Sequence, residues 1–153
     1  MPEQIKLTDI RLAAMNLLSM REHSMCELAR KLGGKFPVPE LIEQVIIDLR
    51  NQCLQSDERF AEAFIRMRQG QGKGSALIKM ELREKGVAPY LISELINESD
   101  AVWAELARRV RLKRFHTAPL DGKDKARQMR FLQSRGFVSR HIQAAFKDLC
   151  DDI

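Results

Sequence analysis

Apolar residues recur at intervals of three and four positions along most of the chain, which is the spacing of one face of an α-helix. No segment shows the sustained alternation of apolar and polar residues that marks a half-buried strand. The pattern therefore predicts an all-α protein built of nine helices. A clear example of the apolar spacing is Leu41, Ile42, Val45, Ile46 and Leu49.

Polar residues mark where several of these helices begin, because their side chains can accept hydrogen bonds from the free N–H groups of a first turn. Ser24 and Glu27 have the spacing of a capping box. Ser56 precedes another apolar run, and Ser139 is predicted to cap the last helix. The helix before it is predicted over residues 125–135.

The helices fall into three sets of three, because one short pattern occurs three times. A leucine is followed three residues later by a cation and then by glycine, with the leucines at Leu28, Leu82 and Leu132. Helices of this length cannot bury an apolar stripe alone, so each set must pack on its neighbours. We predict three tandem three-helix repeats in an elongated, curved helical array, a form suited to binding an extended partner. The predicted repeats are residues 1–54, 55–99 and 100–153.

Charge is distributed unevenly along the 153 residues, whose net charge is +5. Residues 102–147 hold 12 Lys or Arg against 3 Asp or Glu, a net +9, so the remainder carries −4. A basic surface of this kind attracts polyanions, either nucleic acid or an acidic protein groove. An ordinary solvated helix face is the alternative, and charge alone leaves both open.

Composition indicates a soluble protein in the cytoplasm, and a monomer is the default expectation. No run approaches the roughly 18 apolar residues of a membrane span, and the first residues lack the basic and apolar segments of a secretory signal. Cys26, Cys53 and Cys150 are odd in number and widely spaced, which favours reduced thiols over a disulfide framework. We therefore expect no disulfide and no contact with a membrane.

Candidate catalytic residues are few. His23 and Cys26 are three residues apart, but two residues do not make a zinc site, and a capped helix start explains them. Asp57 and Glu58 are adjacent, so they point to different sides of a helix and suit its positive end better than a metal. Ser24 has no base in view. We predict no enzymatic activity, no metal and no cofactor.

The fourth helix is predicted to have two faces and to lead into a glycine-rich loop. Phe60, Phe64 and Met67 recur at helical spacing on its apolar side. Glycines 70, 72 and 74 then surround Lys73 and end the helix. A phosphate-binding Walker loop is excluded, since it requires a preceding strand and a Gly-Lys-Ser/Thr ending. A flexible helix–helix connection remains the alternative to a basic contact loop.

Several motifs occur in a defined order over about residues 8–149. They are Arg21-Glu22-His23-Ser24 with Glu27-Leu28 and Lys31-Leu32, Ser56-Asp57-x-Arg59-Phe60-Ala61, Gly72-x-Gly74 with Ile78 and Leu82, Lys85-Gly86, and Phe131-Leu132-x-x-Arg135-Gly136-Phe137 with Ile142. Together they resemble the RecX regulatory proteins. The resemblance implies a modulator that binds the RecA filament on single-stranded DNA and inhibits strand exchange and ATP hydrolysis.

The partners implied are the RecA recombinase filament and the single-stranded or double-stranded DNA within or beside it. Basic residues of the second and third repeats are the expected contacts. For Lys31, Lys85 and Arg135 an alternative role is stabilisation of a helix C-terminus, where a cation contributes about 0.3–1 kcal/mol. The expected contacts are Arg59, Arg66, Arg68, Lys73, Lys79, Arg83, Lys85, Arg108, Arg111, Arg114, Arg127, Arg130 and Arg135.

Two other kinds of binding protein fit part of the pattern. A general DNA-binding protein would block recombination by coating DNA, but its base-stacking platforms need exposed aromatic rings. Only Tyr90 and Phe115 are candidates for that role. A helical adaptor for an unrelated acidic partner would fit the charge but leave the ordered motifs unexplained.

Overall fold

A computed structural model describes residues 5–147 of the chain. Within that range all regular secondary structure is helical, which confirms the predicted all-α class. None of the described helices has both the length and the apolar character needed to cross a bilayer. The helices are α1 (Leu7–Met20), α2 (Met25–Gly33), α3 (Pro39–Asn51), α4 (Asp57–Gly70), α5 (Ser75–Glu84), α6 (Pro89–Leu95), α7 (Ala101–Phe115), α8 (Gly122–Ser134) and α9 (Ser139–Ala145).

The predicted helix starts at Ser24 and Ser56 are confirmed. The Ser24 hydroxyl accepts from the Glu27 N–H at 3.1 Å, and the Glu27 carboxylate accepts from the Ser24 N–H at 3.3 Å. This is the reciprocal arrangement of a capping box. At the start of α4 the Ser56 hydroxyl accepts from the N–H of Arg59 at 3.2 Å.

Two predicted starts in the last part of the chain are wrong. Helix α8 begins three residues before Lys125, because the Asp121 side chain accepts from the Asp124 N–H at 2.7 Å and caps the helix earlier. Helix α9 begins at Ser139 itself, after Val138 in an extended conformation. Ser139 is thus the first helical residue and does not serve as the N-cap.

The described residues form two compact units. The first contains residues 5–64 and 82–92, and its core is formed where α1, α2 and α3 pack together. The sequence places apolar residues on the inner side of each of these three helices, so that their burial closes the core. The fully or almost fully buried members are Ile10, Ala14, Leu28, Leu32, Ile42, Val45, Ile46 and Leu49.

The second unit contains residues 65–81 and 93–147. Its largest helix contact is between α7 and α9. Trp103 and Ala107 of α7 are buried, as are Ile142 and Ala145 of α9. The second predicted repeat contributes to both units, since α4 and α5 are each divided between them. The predicted repeat boundaries remain predictions.

The repeated cation–glycine pair has a matching structural role in each unit. In the first, the carbonyl of Lys85, which precedes Gly86, accepts from the Ser24 hydroxyl at the start of α2 at 2.8 Å. In the second, the carbonyl of Arg135 accepts from the N–H of Gly74 at the start of α5 at 2.9 Å. In both cases the turn between the second and third helices of one predicted repeat binds the start of the second helix of the predicted repeat before it.

Candidate anion-binding groove

Helix α7 presents two different sides, one buried at successive turns and the other buried only at Leu106. Trp103, Ala107 and Arg111 follow each other at intervals of four and are buried on the side toward α9. The neighbouring side carries Val102, Leu106, Arg109, Val110 and Lys113, again at helical spacing. This second side forms one wall of a groove.

The glycine-rich loop after α4 forms a facing wall. Gly72 has φ +78°, a conformation that favours glycine, and a Cβ there would lie 3.1 Å from the Val110 side chain. Gly74 approaches the α8–α9 turn so closely that a Cβ would lie 2.4 Å from the Gly136 carbonyl carbon and the Phe137 nitrogen. The loop is held by its backbone, which argues against a purely flexible connection.

The groove has a volume of 710 Å³, an apolar floor and a basic rim. The floor is formed by aliphatic side chains of α7 together with Phe131 of α8. Four of the lining residues are cations, and none is Asp or Glu, so the lining has a formal charge of +4. The lining residues are Gln69, Gly70, Gln71, Gly72, Val102, Leu106, Arg109, Val110, Lys113, Arg114, Phe131 and Arg135.

Arginines and phenylalanines alternate at one end of the groove. The Phe115 and Phe131 rings meet edge to face with centroids 5.4 Å apart, and the Arg114 guanidinium lies 5.6 Å from one centroid and 5.7 Å from the other. Arg135 lies 5.1 Å from the Phe131 centroid, and Arg127 lies 5.1 Å from that of Phe115. These five residues form the arginine–phenylalanine cluster.

The cluster fixes the positions of guanidinium groups without neutralising them. A cation–π contact contributes about 0.5–1 kcal/mol at an exposed site and restricts a side chain that is otherwise flexible. The planar N–H edges of arginine then bind a carboxylate or a phosphate with two parallel hydrogen bonds. Arg127 is additionally paired with Asp124 at 2.9 Å. An arrangement of this kind can bind an anion.

Comparison with known proteins identifies the family. Models of the RecX second and third three-helix domains match residues 56–96 and 104–146. The regulatory protein RecX of Halorhodospira halophila is 39% identical over 89% of this chain and 85% of its own length. The chain belongs to the RecX family of regulatory proteins.

Further relatives of this RecX family member agree with that assignment. The regulatory protein RecX of Pseudomonas putida KT2440 is 42% identical over 84% of this chain and 83% of its own. The crystal structure of RecX from Lactobacillus salivarius superposes with a TM-score of 0.81 over 96% of this chain and 97% of that one. Because the two sequences are only 22% identical, this structural comparison shows a shared fold.

Ion pairs outside both the groove lining and the arginine–phenylalanine cluster hold four of the expected contacts. In the first unit Arg59 pairs with Glu22 at 3.0 Å, and Lys85 approaches Glu27 at 3.5 Å. In the second unit the pairs are Arg68 with Glu81 and Lys79 with Glu98. An incoming anion would have to compete with a carboxylate at each of these four positions.

Arg111 lies in the interior and is 2% exposed, so the structure does not place this expected contact at the surface. Its guanidinium donates to the carbonyl oxygens of Ala145 at 3.3 Å and Thr117 at 3.4 Å, and to the Gln128 amide oxygen at 3.4 Å. Burial lowers the pKa of Arg111. Position 111 continues the buried side of α7 by one turn, which is the physical reason for the difference.

The remaining expected contacts are distributed over the surface of the two units. Arg66, Arg83 and Arg130 are exposed, while Lys73 and Arg108 are half-buried. Arg114 and Arg135 line the groove, and Arg127 joins them through the cluster. The structure therefore brings together three of the thirteen residues at the groove.

Sequence reasoning missed two cations of the groove rim. Arg109 and Lys113 are exposed and line the groove. Val102, Leu106, Arg109 and Lys113 follow each other at intervals of four, three and four. This spacing was a signal for the position of the two cations, because such residues share a side of a helix. The same spacing distinguishes this side of α7 from the side that carries Trp103 and Arg111.

A second charged network lies in the first unit and has a structural character. Burial alone would raise the pKa of Glu27, but hydrogen bonds from the Arg21 guanidinium and the Ser24 N–H, with the charge of Lys85, lower it to about 2. His23 is buried, which lowers its pKa, and its ring nitrogens contact the Arg21 carbonyl and the Lys31 amine, each at 3.0 Å. Residues 5–147 contain no group of three metal-ligating side chains.

Proposed function

We propose that this protein binds the RecA nucleoprotein filament through the groove and the arginine–phenylalanine cluster and inhibits strand exchange and ATP hydrolysis. The observation that carries the proposal is a rim of Arg109, Lys113, Arg114 and Arg135 with no carboxylate in the lining. The protein acts in this role as a cytoplasmic monomer and a binder without catalytic activity. Family membership supports the regulatory part of the proposal.

The physical basis is attraction between a preformed cationic surface and a polyanionic filament. A nucleoprotein filament offers phosphates and acidic protein side chains along its length, and clustered cations raise both the rate of encounter and the affinity. The rim cations lie on α7 and at the turn after α8, all within one compact unit. Little ordering is therefore needed when the partner binds.

DNA coating is the competing explanation, and the structure offers it less support. The faces of Phe115 and Phe131 are approached by guanidinium groups, so these rings are poor platforms for bases. Tyr90 is exposed on the first unit. One exposed ring does not provide the series of stacking contacts that single-strand binders use.

The proposal is tested by RecA-dependent ATP hydrolysis on single-stranded DNA, titrated with this protein at low and moderate salt. Binding to naked DNA is measured in parallel. We expect inhibition at concentrations well below those that coat DNA. If inhibition follows DNA coating and declines with salt to the same degree, the filament proposal is wrong, because a phosphate-dominated binder loses affinity with a log–log slope of about −0.7 per contact on single strands.

Charge-reversal variants test whether inhibition of ATP hydrolysis depends on the groove. Arg109→Glu with Lys113→Glu is expected to weaken inhibition by at least about tenfold, since each like-charge contact opposes binding. Lys123→Glu with Arg140→Glu is the matched control, because both are exposed cations of the same unit that do not line the groove and the net charge changes equally. Equal loss in both variants would indicate a general charge effect in place of a site.

A further inference from the structure

The floor of the groove is aliphatic and accessible. Val102 is 41% exposed, although it lies on the same side of α7 as the nearly buried Leu106 and the half-buried Val110. Covering such a surface with an aliphatic side chain releases water and stabilises a complex in proportion to the area buried. A ligand that offers only charge would leave this floor exposed to water.

The aromatic rings beside the floor already have arginine side chains against their faces. Phe131 has Arg114 and Arg135 within 5.7 Å of its centroid and meets the edge of Phe115. Phe115 is likewise approached by Arg114 and Arg127. Stacking of a nucleobase needs an open ring face, and the groove lining contains no other aromatic residue.

The basic rim suits carboxylates at peptide spacing. Arg109 and Lys113 are one helical turn apart, a rise of about 6 Å. Alternate side chains of an extended peptide are separated by about 6.6 Å, from a rise of about 3.3 Å per residue. Charge and spacing alone would also accept phosphates, so the aliphatic floor and the covered rings decide between the two ligand classes.

We infer that the groove receives an acidic segment of a protein partner, with an aliphatic side chain on the Val102 floor and flanking carboxylates on Arg109, Lys113 and Arg114. This inference rests on the proposed function, because it names the component of the filament that the groove contacts. DNA then contributes to binding elsewhere on the protein or through the filament as a whole. The groove discriminates by combining an apolar contact with charge.

The inference is tested by fluorescence anisotropy with three labelled probes. These are a short acidic peptide in which one leucine and two glutamates occupy alternate positions, so that they share one side of an extended chain, the same peptide with that leucine replaced by serine, and an oligothymidylate of equal net charge. The leucine peptide is expected to bind at least about tenfold more tightly than the serine peptide, which is the effect of burying one leucine side chain. It is also expected to bind more tightly than the oligothymidylate.

Three variants locate the binding on the groove. Val102→Ser should weaken the leucine peptide several-fold and leave the serine peptide unchanged, because it removes only the apolar contact. Arg109→Ala should weaken both peptides, while Arg140→Ala, outside the groove lining, should change neither. Val102 and Arg109 are both exposed, and circular dichroism checks that each variant retains its helices.

Equal affinity for the two peptides, or tighter binding of the oligothymidylate to the groove, overturns the inference. The RecA hydrolysis assay separates this result from failure of the proposed function. If inhibition still requires Arg109 and Lys113, the proposal of filament binding stands, and the ligand of the groove is phosphate and not an acidic peptide. Absence of inhibition by the unaltered protein would overturn the proposed function, whatever the peptides do.

Discussion

The backbone N–H of Gly74 donates a hydrogen bond to the carbonyl oxygen of Arg135 at 2.9 Å. Two residues on, the N–H of Ala76 donates to the carbonyl oxygen of Gly136, also at 2.9 Å. The glycine-rich loop and the α8–α9 turn thus meet backbone to backbone. Because the Arg135 side chain belongs to the groove rim, the same contact that joins two elements of the fold also positions a cation of the candidate site.

Gly74→Ala is expected to destabilise the protein by about 1–3 kcal/mol, the range for overpacking a close contact. The added methyl would lie 2.4 Å from backbone atoms of Gly136 and Phe137, which cannot rotate away as a flexible side chain could. Urea unfolding measures the change. Gly70→Ala is the control, since nothing lies within 4 Å of a Cβ there and the substitution favours helix by up to about 1 kcal/mol. Equal destabilisation of both variants would contradict the close contact.

Arg111→Met is expected to destabilise the protein by about 1–3 kcal/mol, the cost of leaving buried polar groups without partners. The substitution removes donors to the Ala145 and Thr117 carbonyls but keeps much of the side-chain volume. Arg109→Met, on the same helix but exposed, should change the free energy of unfolding by less than about 0.5 kcal/mol. If both substitutions change the free energy of unfolding equally, the buried hydrogen bonds of Arg111 do not stabilise the fold.

Helical spacing in the sequence was sufficient for the fold class, because a residue that faces a core must recur with the helical period. It was not sufficient to choose between overlapping stripes. Met67 was predicted to lie in the core with Phe60, but it is 50% exposed, and Ile65 is buried in its place. Both choices satisfy the period, and only packing against other helices decides which side of α4 turns inward.

The candidate site was less accessible to sequence reasoning for a related reason. Helix α7 has cations on several sides, and the sequence cannot tell which side packs on α9 and buries Arg111. The arginine–phenylalanine cluster requires Phe115 of α7 to meet Phe131 near the end of α8. That contact depends on the path of the chain between the helices, for which no local pattern exists.

Glu27→Gln is expected to flatten the dependence of stability on pH in the acid range. The pKa of Glu27 is about 2 in the folded protein, against an ordinary 4.5, so its carboxylate stabilises the fold above pH 4.5. That contribution, on the order of 3 kcal/mol, is lost as pH falls from 4.5 through 2. Unfolding by urea at a series of pH values measures it, and the variant should lack this part of the slope.

His23 contributes a second pH dependence of stability, at higher pH than that of Glu27, with which the effect of Glu27→Gln can be compared. Because burial lowers the pKa of His23 below its ordinary 6.5, the unfolded chain takes up a proton first, and stability declines as pH falls below 6.5. This slope should persist in Glu27→Gln. Glu43→Gln, at an exposed position of α3, should retain both slopes. If Glu43→Gln also lost the decline of stability between pH 4.5 and 2, that decline could not be attributed to Glu27.

Phe131→Leu separates the positioning of charge from charge itself, because it leaves every cation of the rim in place. The ring supports Arg114 and Arg135, and two exposed cation–π contacts contribute about 1–2 kcal/mol together. Inhibition of RecA-dependent ATP hydrolysis should therefore require about 5–30-fold more of the variant. Phe64→Leu is the matched control in the first unit, where the half-buried ring contacts Phe60 with centroids 5.7 Å apart.

Each leucine variant loses one contact between two phenylalanine rings, so a general loss of stability would reduce inhibition by both. Selective weakening by Phe131→Leu would show that the guanidinium groups must be held in position to bind. If neither variant changes inhibition, net charge alone accounts for binding, and the cluster is a packing feature of α7 and α8. Measuring the free energy of unfolding for both variants makes that comparison quantitative, because the change in inhibition can then be set against equal changes in stability.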